Sequence, residues 1–317
     1  MHLPNHLTVT YAPTPVEALA RTSQRFAPYE VFLKRDDLTG AELSGNKVRK
    51  LDFLMADALA QGAKRVITCG GIQSNHCRAT AFYARKLGLQ TTLVLKGTAP
   101  ELATGNFLLD RLLDADIRLI SQEEYAQVDS IMNALAEKDS PKAYVIPEGG
   151  SNEVGAWGYA RAFAEIVQQM PQVETIVVAT GSGGTHAGLL LGKLLMQKDV
   201  HIVSVNVCDD AAFFKEKIVR ILNAVQRRYN VRFQVDEDDV HIIDGYVGQG
   251  YAQIGPKEIE AIKRVAQSEG FVLDPVYGIK AWLGFEDALK NKTLPGKKVL
   301  FIHTGGIFGL FPFADRF

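Results

Sequence analysis

TIVVATGSGGTHAGLLLGKLL, residues 175 to 195, runs from a block of β-branched and apolar residues through a glycine-rich turn into an apolar stretch with helical spacing. The block lacks the polar alternation of a half-wet strand, so it fits a strand covered on both faces, as in a parallel sheet. A strand ending at Thr180 and a helix starting near Thr185 make a strand-turn-helix junction. Between them, Gly181, Ser182, Gly183, Gly184 and Thr185 present successive backbone N–H groups and two hydroxyls at a helix N-terminus, a cradle for phosphate. No Lys follows the glycines, so this is not a Walker loop, and His186 stands where a dinucleotide fingerprint needs its third glycine. A small phosphate monoester held without a metal is the guest that remains. The alternative is a tight turn in which the glycines only relieve steric strain.

Outward from this junction, strand and helix periods alternate from about residue 47 onward, the pattern of an α/β protein with parallel sheets. RVITC, TTLVL, IRLI, AYVIP, TIVVAT, VHIVSVNVC and KVLFI read as strands. The segments after Lys47, CGGIQSNHCRATAFYARKLG, TGNFLLDRLLDA, EEYAQVDSIMNALAE, WGYARAFAEIV and PKEIEAIKRVAQSEG read as helices with their entry loops. Gly-rich junctions at 70–71, 149–150, 181–184 and 305–306 each follow a predicted strand, on the edge where open parallel sheets bind ligands. No internal repeat, low-complexity run or linker separates the chain. Two lobes are expected, a large one from residues 1–50 and 163–317 and a smaller α/β lobe, 51–162, inserted into it.

With 317 residues, 47% hydrophobic and 22% charged, the chain can bury a substantial core. A formal net charge of −1 with scattered basic residues points away from nucleic acid and anionic membranes as partners. The first residues show neither a secretory nor a transit pattern, and no apolar run approaches membrane-spanning length. Cys69, Cys77 and Cys208, odd in number and irregularly spaced, fit free thiols in a reducing, cytoplasmic setting. His76 and Cys77 beside Cys69 lack a second ligand pair, so no metal is expected.

LSGNKVRKLDF, residues 43 to 53, places three basic side chains at the start of an amphipathic pattern. On a helix beginning after Asn46, Lys47 falls in line with Leu51, Leu54 and Ala58, while Arg49 and Lys50 fall to the sides. The positive end of the helix dipole and burial against that stripe both favour a neutral amine, as a Schiff-base lysine requires. The competing possibility is a lysine snorkelling from a surface helix. An inward lysine together with a metal-free phosphate cradle meets the needs of pyridoxal phosphate. Neither Ser74 nor Ser182 stands in GxSxG, which excludes the serine-hydrolase arrangement.

Five motifs in order, SGNKVRKLDFLMADALAQGA, CGGIQSNHCRA, ATGSGGTHAG, LDPVYGIKA and LFIHTGG, resemble the fold type II pyridoxal-phosphate enzymes, the class with the tryptophan synthase β fold. Within that class the chain is similar to the branch holding D-cysteine desulfhydrase and aminocyclopropane-carboxylate deaminase, from about KRDDLTG (34–40) to the C-terminus. The resemblance implies an open, mainly parallel sheet in each lobe, pyridoxal 5'-phosphate as cofactor and a homodimer. It implies that Lys47 carries the cofactor and moves the Cα proton, with Asn46 shaping the helix start. Gln73, Ser74 and His76 would surround the substrate carboxylate, and Asn75 would bond the cofactor's phenolic oxygen. Gly181 to Thr185 would hold the phosphate, and Thr304 would lie beside the pyridine nitrogen. Tyr277, and roughly Tyr251, would lie near substrate and assist proton transfer; a lone tyrosine is otherwise a core residue. The deaminase branch carries Glu after the DPVY tyrosine and Leu in the HxGG position, whereas this chain has Gly278 and Thr304. The implied activity is therefore β-elimination from D-cysteine. Aminocyclopropane-carboxylate deamination, cysteate sulfo-lyase activity and silent pyridoxal-phosphate binding stand as alternatives.

Overall fold

The computed structural model describes residues 1–138, 141–250 and 252–317. In chain order the elements begin with β1 (Val16–Ala18), α1 (Ala20–Arg25), β2 (Glu30–Lys34), α2 (Lys47–Ala60), β3 (Arg65–Gly71), α3 (Asn75–Lys86), β4 (Gln90–Lys96) and α4 (Gly105–Leu112). They continue with β5 (Asp116–Ile120), α5 (Gln122–Tyr125), α6 (Val128–Lys138), β6 (Ala143–Val145), α7 (Ala156–Gln169), β7 (Thr175–Thr180) and α8 (Gly184–Met196). The remainder are β8 (His201–Asn206), α9 (Ala211–Tyr229), β9 (His241–Ile243), α10 (Pro256–Glu269), α11 (Gly278–Asn291) and β10 (Lys298–Ile302).

Two sheets result. The larger has the order β1-β2-β10-β7-β8-β9, parallel except for the antiparallel edge pair β1 and β2. The smaller, β5-β4-β3-β6, is parallel throughout and is built from the chain between β2 and β7. The fully buried run of β7 and the nearly buried run of β8 follow from their apolar sequences, since helices cover both faces of such strands. The chain is thus an α/β protein of the expected architecture.

Three local departures have physical causes. EEYAQVDSIMNALAE is two helices rather than one: the chain breaks after Tyr125, and the short α5 is closed by a capping box between Ser121 and Glu124. Strands β1, β2 and β9 and helices α1, α9 and α11 lie outside the alternation read from the sequence. The sides of α2 to which Arg49 and Lys50 fall are not solvent-facing; both residues are buried, at 3% and 1%. Arg49 pairs with Asp36 at 2.8 Å and Glu165 at 3.0 Å, Glu165 also binds Lys34, and Tyr159 donates to Asp36 at 2.6 Å. Buried charges persist only when paired in this way. The face of α2 away from the cleft is therefore ionic, while Leu51, Leu54 and Ala58 lie in the main apolar core.

Candidate active site

A cavity of about 450 Å³ lies between the two sheets, where their carboxyl-end edges meet. From the larger sheet come Thr180 at the end of β7, the turn 181–183, Cys208 and Asp209 after β8, and Thr304 after β10; from the smaller come Gly70, Gly71 and Lys96.

Lys47 is the first residue of α2 and enters this cavity. Its entry is set by Gly45, whose φ of +107° suits glycine and whose Cβ, if present, would lie 2.8 Å from the Thr304 carbonyl. That close approach lets the Asn46 N–H donate to the same carbonyl at 3.1 Å, joining the start of α2 to the end of β10. Lys47 Nζ donates to Asn46 Oδ1 at 2.9 Å, and Asn46 Nδ2 donates to Thr185 Oγ1 at 3.1 Å, linking the lysine to the glycine turn. Burial is the largest influence on the amine and lowers its pKa to about 8, against the pull of Asp274 and Glu148.

The turn itself folds as the sequence predicts, with Gly183 at φ +82° preceding α8. Gly181, Ser182, Gly183 and Thr185 line the cavity; Gly184 does not, because its N–H is spent on Ser151 Oγ at 3.2 Å. Ser151 also contacts Ser182 Oγ at 2.8 Å and receives a hydrogen bond from Lys50 Nζ at 3.3 Å. Lys50, whose other acceptor is the Gly149 carbonyl, thereby sits behind the turn as a buried amine without a carboxylate in contact. Burial first, then repulsion from Lys47 and Lys217, drives its pKa well below the ordinary lysine value.

On the opposite wall, Ser74 caps α3 by accepting the Cys77 N–H at 3.2 Å and also lines the cavity. Asn75 Oδ1 accepts from Asn106 at 2.9 Å, which leaves its Nδ2 on the cavity side. His76 is neutral, its pKa pushed far down by burial and by the charges of Lys47 and Lys50. Thr68 Oγ1 donates to the Ile146 carbonyl and so accepts from His76 Nε2 at 2.9 Å, leaving Nδ1 as an unfilled acceptor. Gln73 is not in the cavity wall: its side chain accepts the Asn106 N–H and donates to the Thr104 carbonyl, fastening the start of α4. Tyr277 stands across from Lys47, with Nζ 5.7 Å from the ring centroid. Thr304 lies in the wall beside them. Tyr251 lies outside the described residues.

Sequence reasoning missed Lys50, Thr180, Ser151 and Asp274. For Asp274 the signal was present: Asp-Pro is a turn signature, and an Asp side chain readily binds the backbone N–H groups of the turn it opens, here the one leading into α11. Its carboxylate is 1% exposed and accepts the N–H groups of Val276, Tyr277 and Gly278 at 3.1, 2.9 and 2.6 Å. Burial raises its pKa to about 6, against those donors and Lys47. Lys50 gave no such signal, because its partners lie about a hundred residues away. The arrangement combines an amine of lowered proton affinity, an anion cradle, a phenol and a helix N-terminus around one space. No group of His, Cys, Asp and Glu among the described residues is placed to hold a metal ion.

Residues 7–305 match the family described as pyridoxal-phosphate dependent enzyme. A mitochondrial bifunctional D-cysteine desulfhydrase/1-aminocyclopropane-1-carboxylate deaminase of Arabidopsis thaliana is 43% identical, over 99% of this chain and 81% of its own length. D-cysteine desulfhydrase of Salmonella typhi is 40% identical, over 95% of this chain and 94% of its own. The fold superposes on the crystal structure of an ACC deaminase homologue with a TM-score of 0.91 at 37% identity, covering 98% and 95% of the two chains.

Proposed function

The chain belongs to the pyridoxal-phosphate-dependent enzymes, and from that membership we propose that this lyase converts D-cysteine and water to pyruvate, hydrogen sulfide and ammonia. Its residues fit the cofactor. Among buried polar atoms without a partner, Thr180 Oγ1 and His76 Nδ1 belong to cavity-lining residues, as expected where a polar guest completes the hydrogen bonding. Lys47 would hold the aldehyde carbon, Gly181, Ser182, Gly183 and Thr185 with Lys50 behind them the phosphate, Asn75 the phenolic oxygen and Thr304 the ring nitrogen. Bound there, pyridoxal phosphate supplies the electron sink that allows an amino acid's Cα–H bond to break.

The chain's own groups divide the remaining work. The N-terminus of α3, with Ser74 at its cap, favours the substrate carboxylate. Lys47 takes the Cα proton, and its lowered affinity keeps a usable fraction neutral near pH 8. Tyr277 offers a second proton site within the same enclosure.

The observation that carries the choice of D-cysteine is Gly278. It follows Tyr277 with no side chain, its N–H is committed to Asp274 Oδ1 at 2.6 Å, and an added Cβ would lie 2.8 Å from that oxygen. No acid or nucleophile stands at this position to open a cyclopropane, whereas sulfide leaves from Cβ without such help. Aminocyclopropane-carboxylate deamination is the second reading, favoured by the names of two of these relatives. We further place the enzyme in the cytoplasm as a homodimer. Free Cys69, Cys77 and Cys208 support a reducing setting, and no helix among the described residues is long and apolar enough to cross a membrane.

A panel of D-cysteine, L-cysteine, cysteate and aminocyclopropane-carboxylate, with sulfide, sulfite, ammonia and keto acid measured, tests the proposal. Sulfide and pyruvate from D-cysteine in equal amounts are expected. Ammonia from aminocyclopropane-carboxylate with none from D-cysteine would overturn it, and borohydride trapping at a lysine other than Lys47 would overturn the site.

A further inference from the structure

Three acidic residues line the cavity among the described residues: Glu148, Asp209 and Asp274. The first two are exposed, and only Asp274 is buried. Its hydrogen bonds hold the turn that leads into α11, whose N-cap residue is Tyr277, but binding those N–H groups alone does not account for a carboxylate. Asn and Ser cap as well as Asp, without the expense of burying a charge. The dipole of α11 offsets part of that penalty, and the rest needs a cation. Asp274 has no salt bridge among the described residues, and the positive charge that most stabilises it is that of Lys47, across the cavity.

We propose that Asp274 is a positioning residue of the reaction: its carboxylate fixes Tyr277 over Lys47 and supplies the buried negative charge against which Lys47 takes up and gives back its proton. The geometry carries both parts. Asp274 Oδ2 holds the Tyr277 N–H, so the phenol ring is anchored three bonds from its backbone tether and faces Lys47 Nζ. Gly181 packs against an edge of that ring, where an added Cβ would lie 2.9 Å from Tyr277 Cε1.

The charges around the pair are unequal. Asp274 and Glu148 draw a proton to Lys47, while Arg78 from α3 repels it. Lys50, one turn along α2, and His76 also feel the Lys47 charge, and Lys280 of α11 is drawn toward Asp274. Of the two acids that act on Lys47, Glu148 faces solvent and is screened, so the buried Asp274 has the larger lasting effect.

The inference rests on Lys47 as the cofactor lysine and not on the substrate. The test uses holoenzyme carrying Asp274→Asn, with Asp274→Ser as a second cap-forming, uncharged variant should the first not fold. The absorption band of the bound cofactor, which follows protonation of the Lys47 nitrogen, is titrated against pH, and kcat and KM for D-cysteine are measured separately. Removing the anion should move the spectral transition down by about one pH unit or more. It should lower kcat with little change in KM, while the melting temperature stays near that of the parent. Asp274→Ala, which loses the hydrogen bonds to the turn before α11 as well, should also melt lower. A spectral transition at the parental pH in the uncharged variants overturns the proposal. Trapping of the cofactor at a different lysine overturns instead the assignment on which it rests.

Discussion

Lys47 is partly buried in the cavity wall, and this dictates how the cofactor-free protein responds to pH. Its folded pKa near 8 lies below the ordinary lysine value of 10.5. Between those values the unfolded chain holds a proton that the folded chain has released, so stability rises with pH across the window and the penalty is complete below it. Cofactor-free Lys47→Met should therefore melt at a higher temperature than the parent at pH 7, and the gap should narrow as pH climbs from 8 to 10.5. Thermal melts at a series of pH values check this; a gap that stays constant would count against it. The same residue shows what local sequence can disclose. Its alignment with Leu51, Leu54 and Ala58 is a property of one helix and is visible in the twelve residues from Lys47 to Ala58. The burial of Lys50 and the charge pairing of Asp274 are not, because they depend on Gly149, Ser151 and Lys47, brought close only by the fold.

Helix α2 carries two kinds of chemistry on its two flanks. Lys47 faces the cavity, while Arg49 is enclosed by Asp36, Glu165, Thr14 and Tyr159 with few unsatisfied donors. Removing one member of such a buried network leaves its partners charged and unpaired, at about 3–5 kcal/mol. Arg49→Met should lose stability on that scale in urea unfolding, yet the residual folded protein should still be trapped by borohydride at Lys47. A loss of less than about 1 kcal/mol would show that the network is solvated. At this scale the glycine-rich turn and its flanking strand and helix were readable because turn chemistry is local. Helix α9 was readable in principle: Phe214, Ile218, Ile221, Leu222 and Val225 recur at helical spacing. The alternation of strand and helix simply does not require it, since it joins β8 to the edge strand β9. Strand β2 was harder. Its five residues mix Glu and Lys with apolar ones, and Lys34 is buried only because Glu165 meets it.

On the scale of the molecule, the cavity is a seam between two sheets, and anything that binds there contacts both. The glycine turn comes from β7 and α8, the opposite wall from β3 and α3, and the amine from α2, which packs on α7 and α3. A cofactor that touches all of these binds the folded state and not the unfolded one. At a hundredfold excess over Kd it should add about 2.7 kcal/mol of stability. Reduced and dialysed protein should accordingly melt below the yellow holoenzyme, and added pyridoxal phosphate should restore the difference in a dose-dependent way. Equal melting temperatures would mean that the cofactor does not bridge the seam. The sheet order has a separate consequence for how the protein is made. Strand β10, the last of the chain, lies between β2 and β7, and the carbonyl just beyond it receives the Asn46 N–H that seats Lys47. While the ribosome is still synthesising the C-terminal portion, the large sheet has a gap at its middle and the lysine has no seat. Capture of a cofactor at Lys47 would thus wait for β10, and a nascent chain stalled before that strand should be colourless.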